Sequence, residues 1–126
     1  MLFRSEETMR YRMSSRDVFY GGGVVNGARN ITLMEDLCHR MMAKLYGNQG
    51  RCTCVEQVRF YDPIFAGDYI EYKARVLEQD GKICKIECRS FKVAVLPEEP
   101  EFPSSIDVLE DPTITAAVTF VFESRE

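Results

Sequence analysis

YGGGVVNGARNITLMEDLCHRMMAKL, from Tyr20 to Leu45, runs three glycines into an apolar segment with two adjacent acids near its middle. Asn26 suits an N-cap, because its side chain can accept from early helical amides. Ile31, Met34, Cys38, Met41, Met42 and Leu45 fall on one stripe at helical spacing. Leu33 and Leu37 lie on the other side, so more than half of the circumference is apolar. Such a helix is wrapped by other structure instead of lying on a surface. Gly47 suits a left-handed C-terminal position and ends it.

Outward from this helix the period is two. Residues 6–13 alternate polar and apolar and predict a first strand with one wet face. Residues 14–23 show neither period and read as loop. Arg51 to Tyr61 is strand-like, and residues 62–68 form a connection. Tyr69 to Leu77 alternates, with Ile70, Tyr72, Ala74 and Val76 on one face. Asp80-Gly81 signals a hairpin into a long strand from Lys82 to Leu96. Pro97 to Pro112 holds four of the five prolines and six acids and reads as a solvated excursion loop. Thr113 to Glu123 is rich in β-branched and aromatic residues and closes the chain as a strand. The expected class is α+β, in the order β-α-β-β-β-β. Hairpin-joined antiparallel strands would form one sheet wrapped around one long central helix. Residues 1–126 make a single domain, with no internal repeat.

The composition bounds the function. With 126 residues and 45% hydrophobic content, the chain can fill a core without disulfides or metal. A net charge of −4 argues against a nucleic-acid partner, which calls for a basic patch. No apolar run is long enough to span a bilayer. The N-terminal MLFRSEETMRYR lacks the apolar core of a signal peptide, so a cytoplasmic location is expected. The five cysteines are then expected as thiols. Cys52/Cys54 and Cys84/Cys88, with His39 as the lone histidine, have poor spacing for zinc, and no metal is expected.

Two motifs carry a resemblance. Gly23-Val24-Val25-Asn26-Gly27 leading to Leu33-Met34-Glu35-Asp36 resembles the loop-to-helix segment of hotdog-fold thioesterases, in which an acid sits at the Glu35 position. Phe60-Tyr61-Asp62-Pro63-Ile64-Phe65-Ala66-Gly67-Asp68 is similar to the P-x-x-x-G-D connection of the same fold. Three further strings are closer to the β-aminoacyl-CoA ammonia-lyases of amino-acid fermentation. They are Asp17-Val18-Phe19-Tyr20, Val25-Asn26-Gly27-Ala28-Arg29 and Gly67-Asp68-Tyr69-Ile70-Glu71-Tyr72. The Leu33–Leu37 run and the short chain resemble most the members acting on 3-aminobutyryl-CoA. The resemblance implies reversible loss of ammonia from that thioester to give crotonyl-CoA, with acyl-CoA thioester hydrolysis as the alternative. It also implies a homodimer or higher homo-oligomer with acyl-CoA bound between subunits. No separate cofactor is expected, because coenzyme A is part of the substrate.

Elimination needs a base for the α-proton and a donor for the enolate oxygen. Helix N-terminal amides lack internal partners and carry partial positive charge, so the backbone around Asn26 and Gly27 is the expected oxyanion site. Gly22 and Gly23 let a thioester approach the backbone closely, or form only a turn. They join Val25 and Arg29 as the expected substrate-binding set. Arg29 has two readings, holding a coenzyme A phosphate or an acid from a second subunit. Tyr20 either donates to substrate or packs the loop. Glu35 and Asp36 are the candidate bases, separated by about 100° around the helix. Glu35 lies on the edge of the apolar stripe, where burial would raise its pKa; its plain alternative is pairing with His39. Asp36 ranks second and has handling of the amine as another role; its plain alternative is a surface pair with Arg40.

Overall fold

The computed structural model describes residues 6–18 and 21–126. In chain order the elements are β1 (Glu6–Arg12), two short 3-10 turns (Ser15–Asp17 and Gly21–Gly23), β2 (Val24–Val25), α1 (Gly27–Tyr46) and β3 (Arg51–Phe60). They continue with β4 (Ile64–Phe65), β5 (Tyr69–Asp80), β6 (Ile83–Val95) and β7 (Asp107–Glu123). Five strands form one antiparallel sheet in the order β1-β5-β6-β7-β3, and β2 pairs with β4 beside it. This is the hotdog arrangement, one long helix against a curved antiparallel sheet.

The helix begins and ends where its capping residues require. The Asn26 side chain accepts from the Arg29 amide at 2.9 Å, and Gly47 closes the helix at φ 79°. Leu33, Met34, Leu37, Cys38, Met41 and Met42 are buried, while Ile31 and Leu45 lie at the margin of the core. They pack on the inner sheet face, formed by Ile70, Tyr72 and Ala74 of β5, Cys84, Ile86 and Cys88 of β6, and Ala116, Val118, Phe120 and Phe122 of β7. Each large apolar side chain removed from water contributes about 1.5–3 kcal/mol, which makes this interface the main source of cohesion.

Two expectations are corrected. First, β3 is not joined to β5 by a hairpin. It lies at the far edge beside β7, and the chain crosses the sheet before starting β5 beside β1. The connection 61–68 is long enough to pass the start of α1, and this is where it places the P-x-x-x-G-D motif. Second, the loop expected over 97–112 is shorter. β7 starts at Asp107, with Val108 opposite Ala94 and Asp107 opposite Val95. Acids and prolines mark this stretch as solvated, and it is; Val108 is 79% exposed. Backbone pairing nevertheless continues along the exposed end of the β6–β7 ribbon. Pro112, which lacks an amide donor, falls where the register shifts between Lys92 and Ala94.

The crossover is fixed by its own polar groups. Asp68 Oδ2 accepts from the Phe65 amide at 2.8 Å, and the Gly67 amide donates to the Met13 carbonyl at 2.7 Å. Gly67 has φ 93°, and a Cβ there would stand 2.7 Å from Leu96 Cγ. Left-handed strain and overpacking together give an expected loss of about 2 kcal/mol or more for Gly67→Ala in urea unfolding. Gly81→Ala is the control: φ is 58° but nothing lies within 4 Å of its Cβ, and a loss of about 1 kcal/mol is expected.

Candidate active site

The N-terminus of α1 opens into a cavity of about 350 Å³. Its walls come from three places: Val24–Gly27 with Asn30, residues 60–64 of the crossover, and Thr115 of β7. Asn26 satisfies the Arg29 amide; among the described residues, the Gly27 and Ala28 amides have no acceptor. Gly27 lies directly under Phe60, whose ring Cζ would be 2.7 Å from a Cβ at that position. Phe60 itself is 57% exposed. Gly27 thus brings a free backbone donor to the cavity at a positive helix end, beside an aromatic wall, with the free Ala28 amide next to it in the chain; such helix-end donors can stabilise negative charge developing on oxygen.

Behind the cavity runs a buried chain of polar side chains. The Tyr72 hydroxyl donates to Asn30 Oδ1 at 2.5 Å, and Asn30 Nδ2 donates to Ser90 Oγ at 3.1 Å. Ser90 Oγ lies 2.6 Å from Thr115 Oγ1, and Thr115 Oγ1 donates to the Ser90 carbonyl at 3.1 Å. Ser90 Oγ also lies 3.5 Å from the Ala116 carbonyl, so the chain of polar contacts runs unbroken from Tyr72 to Thr115 at the cavity wall. Burial, and secondarily the neighbouring Cys88, push the Tyr72 pKa up, which keeps the phenol a neutral donor.

The crossover wall is held by Lys92, a residue only 8% exposed. Its Nζ donates to the Pro63 carbonyl at 2.8 Å, and lies 3.2 Å from Asp62 Oδ2 and 3.4 Å from Asp68 Oδ2. The Tyr61 and Asp62 amides both donate to the Thr115 carbonyl, at 2.8 and 3.3 Å. Crossover and sheet are thus tied at the cavity.

Among the residues expected from sequence, Val25, Asn26 and Gly27 line this cavity. Gly22 and Gly23 adopt positive φ, and the Gly23 carbonyl accepts from the Ala66 amide at 2.9 Å, holding the entry loop against the crossover. Tyr20 lies outside the described residues. Arg29 is engaged by side chains of its own chain. Its Nε donates to Asp17 Oδ1 at 2.7 Å and its Nη2 to the Tyr11 hydroxyl at 3.1 Å. Glu35 stands eight residues beyond Gly27, about 12 Å along the same helix. Its own chain does not bury it: the side chain is 41% exposed, with Oε2 3.4 Å from His39 Nε2, the plain pairing foreseen for it. His39 Nδ1 lies 2.8 Å from the Gln49 carbonyl, which can only accept. Asp36 is exposed and does not pair with Arg40, because Arg40 instead reaches Glu7 at 3.4 Å.

Sequence reasoning missed Asn30, Thr115, Tyr61 and Asp62. Asn30 had a visible signal, a lone amide on the helix face that carries Leu33, Met34 and Leu37. The cysteines stand apart from the cavity lining. Burial pushes the thiols of Cys38 and Cys88 up, the latter to about 12, leaving them unreactive packing groups.

The chain belongs to the thioesterase superfamily, whose family model matches residues 22–93. It is 35% identical over 109 residues to the 3-aminobutyryl-CoA ammonia lyase of Acetoanaerobium sticklandii, covering 86% of each chain. Its fold superposes on the β-alanyl-CoA:ammonia lyase from Clostridium propionicum with a TM-score of 0.88. That match has 21% identity and covers 95% of this chain and 85% of the other. A mutant form of a hexameric broad-specificity acyl-coenzyme A thioesterase matches with a TM-score of 0.78. Identity there is 17%, over 94% of this chain and 78% of that one.

The Asp17–Arg29 pair makes a testable contribution to stability. Burial alone would raise the Asp17 pKa. The Ser14 amide, the Arg29 guanidinium and the Tyr11 hydroxyl outweigh it and hold the carboxyl below its ordinary value. The resulting stabilisation is present above about pH 4, where an unfolded aspartate is ionised, and is lost as pH falls through the lower folded value. Thermal melts from about pH 6 downward should therefore fall more steeply for the native chain than for Asp17→Asn. Parallel curves would show that the pair contributes nothing.

Proposed function

We propose that this chain catalyses the reversible elimination of ammonia from 3-aminobutyryl-CoA to give crotonyl-CoA. The observation that carries this reading is a cavity at a helix N-terminus whose first two amides are unpartnered among the described residues, in a chain 35% identical to an enzyme of that name. In the forward direction a carboxylate takes the α-proton and negative charge develops on the thioester oxygen. The Gly27 and Ala28 amides receive that charge. The electron pair then moves to form the α–β double bond as the C–N bond breaks. Ammonia departs and takes up the released proton as ammonium. Coenzyme A belongs to the substrate, and no further cofactor is called for.

Glu35 is the first candidate for the base, with Asp36 second. Glu35 lies too far along its own helix to serve the amides of its own chain. We therefore place it opposite the Gly27 end of a second copy's helix, in a homodimer or higher homo-oligomer with sites between subunits. Edge strand β3 supports this arrangement. Val55, Val58 and Phe60 are exposed on it, and its outer backbone edge has no partner strand among the described residues. Pairing two such edges around a two-fold axis sets the helices side by side and antiparallel. No helix among the described residues is long and apolar enough to cross a membrane. A cytoplasmic place in lysine fermentation fits the proposed reaction.

The test is incubation with crotonyl-CoA and ammonium, following the enoyl absorbance. It should fall without release of free thiol; thiol release without amination would establish hydrolysis instead. Glu35→Gln should lower kcat by about a hundredfold or more, while Asp36→Asn leaves most of it. The reverse pattern would move the base to Asp36. Gly27→Ala should fold normally, because the exposed Phe60 ring can swing aside, yet weaken acyl-CoA binding by crowding the cavity.

A further inference from the structure

The cavity at the helix N-terminus contains one charged side chain among its described lining residues, Asp62. The other polar groups there are neutral: the Asn26 and Asn30 amides and the Thr115 and Tyr61 hydroxyls. They cannot neutralise a cation. Asp62 can, and its surroundings leave it able to do so. Lys92 lies 3.2 Å from Asp62 Oδ2, but the same ammonium also serves the Pro63 carbonyl and Asp68. Its charge is thus shared between two carboxylates, and its hydrogen bonds between Asp62 Oδ2 and the Pro63 carbonyl. Asp62 Oδ1 accepts no hydrogen bond among the described residues. The side chain is 43% exposed, and the Asp62 amide is fixed on the Thr115 carbonyl at 3.3 Å. The carboxylate is therefore positioned from both sides, yet keeps one oxygen free. Lys92 would not be left uncompensated without it, since the buried Asp68 remains.

We propose that Asp62 is the specificity residue for a cationic acyl group: its free oxygen receives the substituent ammonium of a β-aminoacyl thioester whose carbonyl oxygen lies at the Gly27 and Ala28 amides. This rests on the reading of the cavity as the acyl site and deepens it. The cavity then presents donors to the end of the acyl group that becomes negative and an acceptor to the end that carries positive charge. A neutral acyl chain of the same size meets a carboxylate it cannot pair, which disfavours it.

Two thioethers of coenzyme A, S-(3-aminobutyl) and S-(3-hydroxybutyl), separate the charge from the shape. Neither has a carbonyl to acidify the α-proton, so neither is turned over. By calorimetry the native protein should bind the amine at least about tenfold more tightly than the hydroxyl isostere, the ordinary worth of one charged hydrogen bond. Asp62→Asn should remove that preference, weakening the amine while leaving the hydroxyl ligand within about twofold. Equal weakening of both ligands, or an unchanged preference, overturns the assignment. Absence of a preference in the native protein overturns it as well, and this arm needs no variant to fold. A native preference that Asp62→Asn abolishes, in a protein that does not aminate crotonyl-CoA, would leave the ammonium site standing and refute the reaction.

Discussion

One buried amide sets the position of the helix. Apolar packing specifies the placement of α1 against the sheet less sharply than hydrogen bonding does, because contacts between apolar side chains have no required direction and Met adapts to irregular gaps. Asn30 supplies that direction. Its two ends must be satisfied at once, by the Tyr72 hydroxyl on β5 and the Ser90 hydroxyl on β6, and a half-satisfied arrangement would leave a polar group stranded in the core. The two bonds together tie the rotation and the height of the helix to two strands of the sheet. With those fixed, Gly27 at the start of the helix lines the cavity without further adjustment.

The opposite wall is fixed by a different device. Lys92 reaches from the inner sheet face to the crossover and holds Asp62, Asp68 and the Pro63 carbonyl together. Burying a lone ammonium would be costly, but here two carboxylates and a carbonyl replace its water. The acceptors lie within a few residues of one another because the P-x-x-x-G-D turn brings them round. Gly67 is the pivot, the position where a side chain would collide with Leu96. Thus the motif that resembles a family signature has a mechanical reason in this chain: it folds the crossover onto a single cation.

The helix, its caps and the alternating strands were legible because each depends on neighbours close in sequence. Asn26 and Gly47 announce their roles through local geometry, and Ile70, Tyr72 and Ala74 declare one face by period alone. The placement of β3 was not legible, since a strand's partner is decided by which edge the crossover reaches, and nothing within Arg51–Phe60 encodes that. The start of β7 was hidden for the opposite reason: backbone pairing persists where the side chains look like loop. At the site, the glycine-led entry pointed to the amides, but Thr115 and Asp62 come from segments far apart in the chain. Arg29 illustrates the limit well. Its partner, Asp17, stands twelve residues earlier on a turn with no period to place it.

Strand β3 has a consequence for how occupancy and order are linked. Its side chains are exposed along nearly the whole length, so it draws little cohesion from the interior of its own chain. Yet its last residue, Phe60, forms the wall over Gly27. A molecule lodged against that ring adds contacts that the empty fold lacks. By mass action, whatever fills the cavity must also raise the free energy needed to detach the edge of the sheet. The same equality runs backwards: a second surface that secures β3 holds Phe60 in place and prepares the cavity before anything enters it. Assembly and ligand capture would then draw on one reservoir of order, located in the strand that is least able to supply it alone.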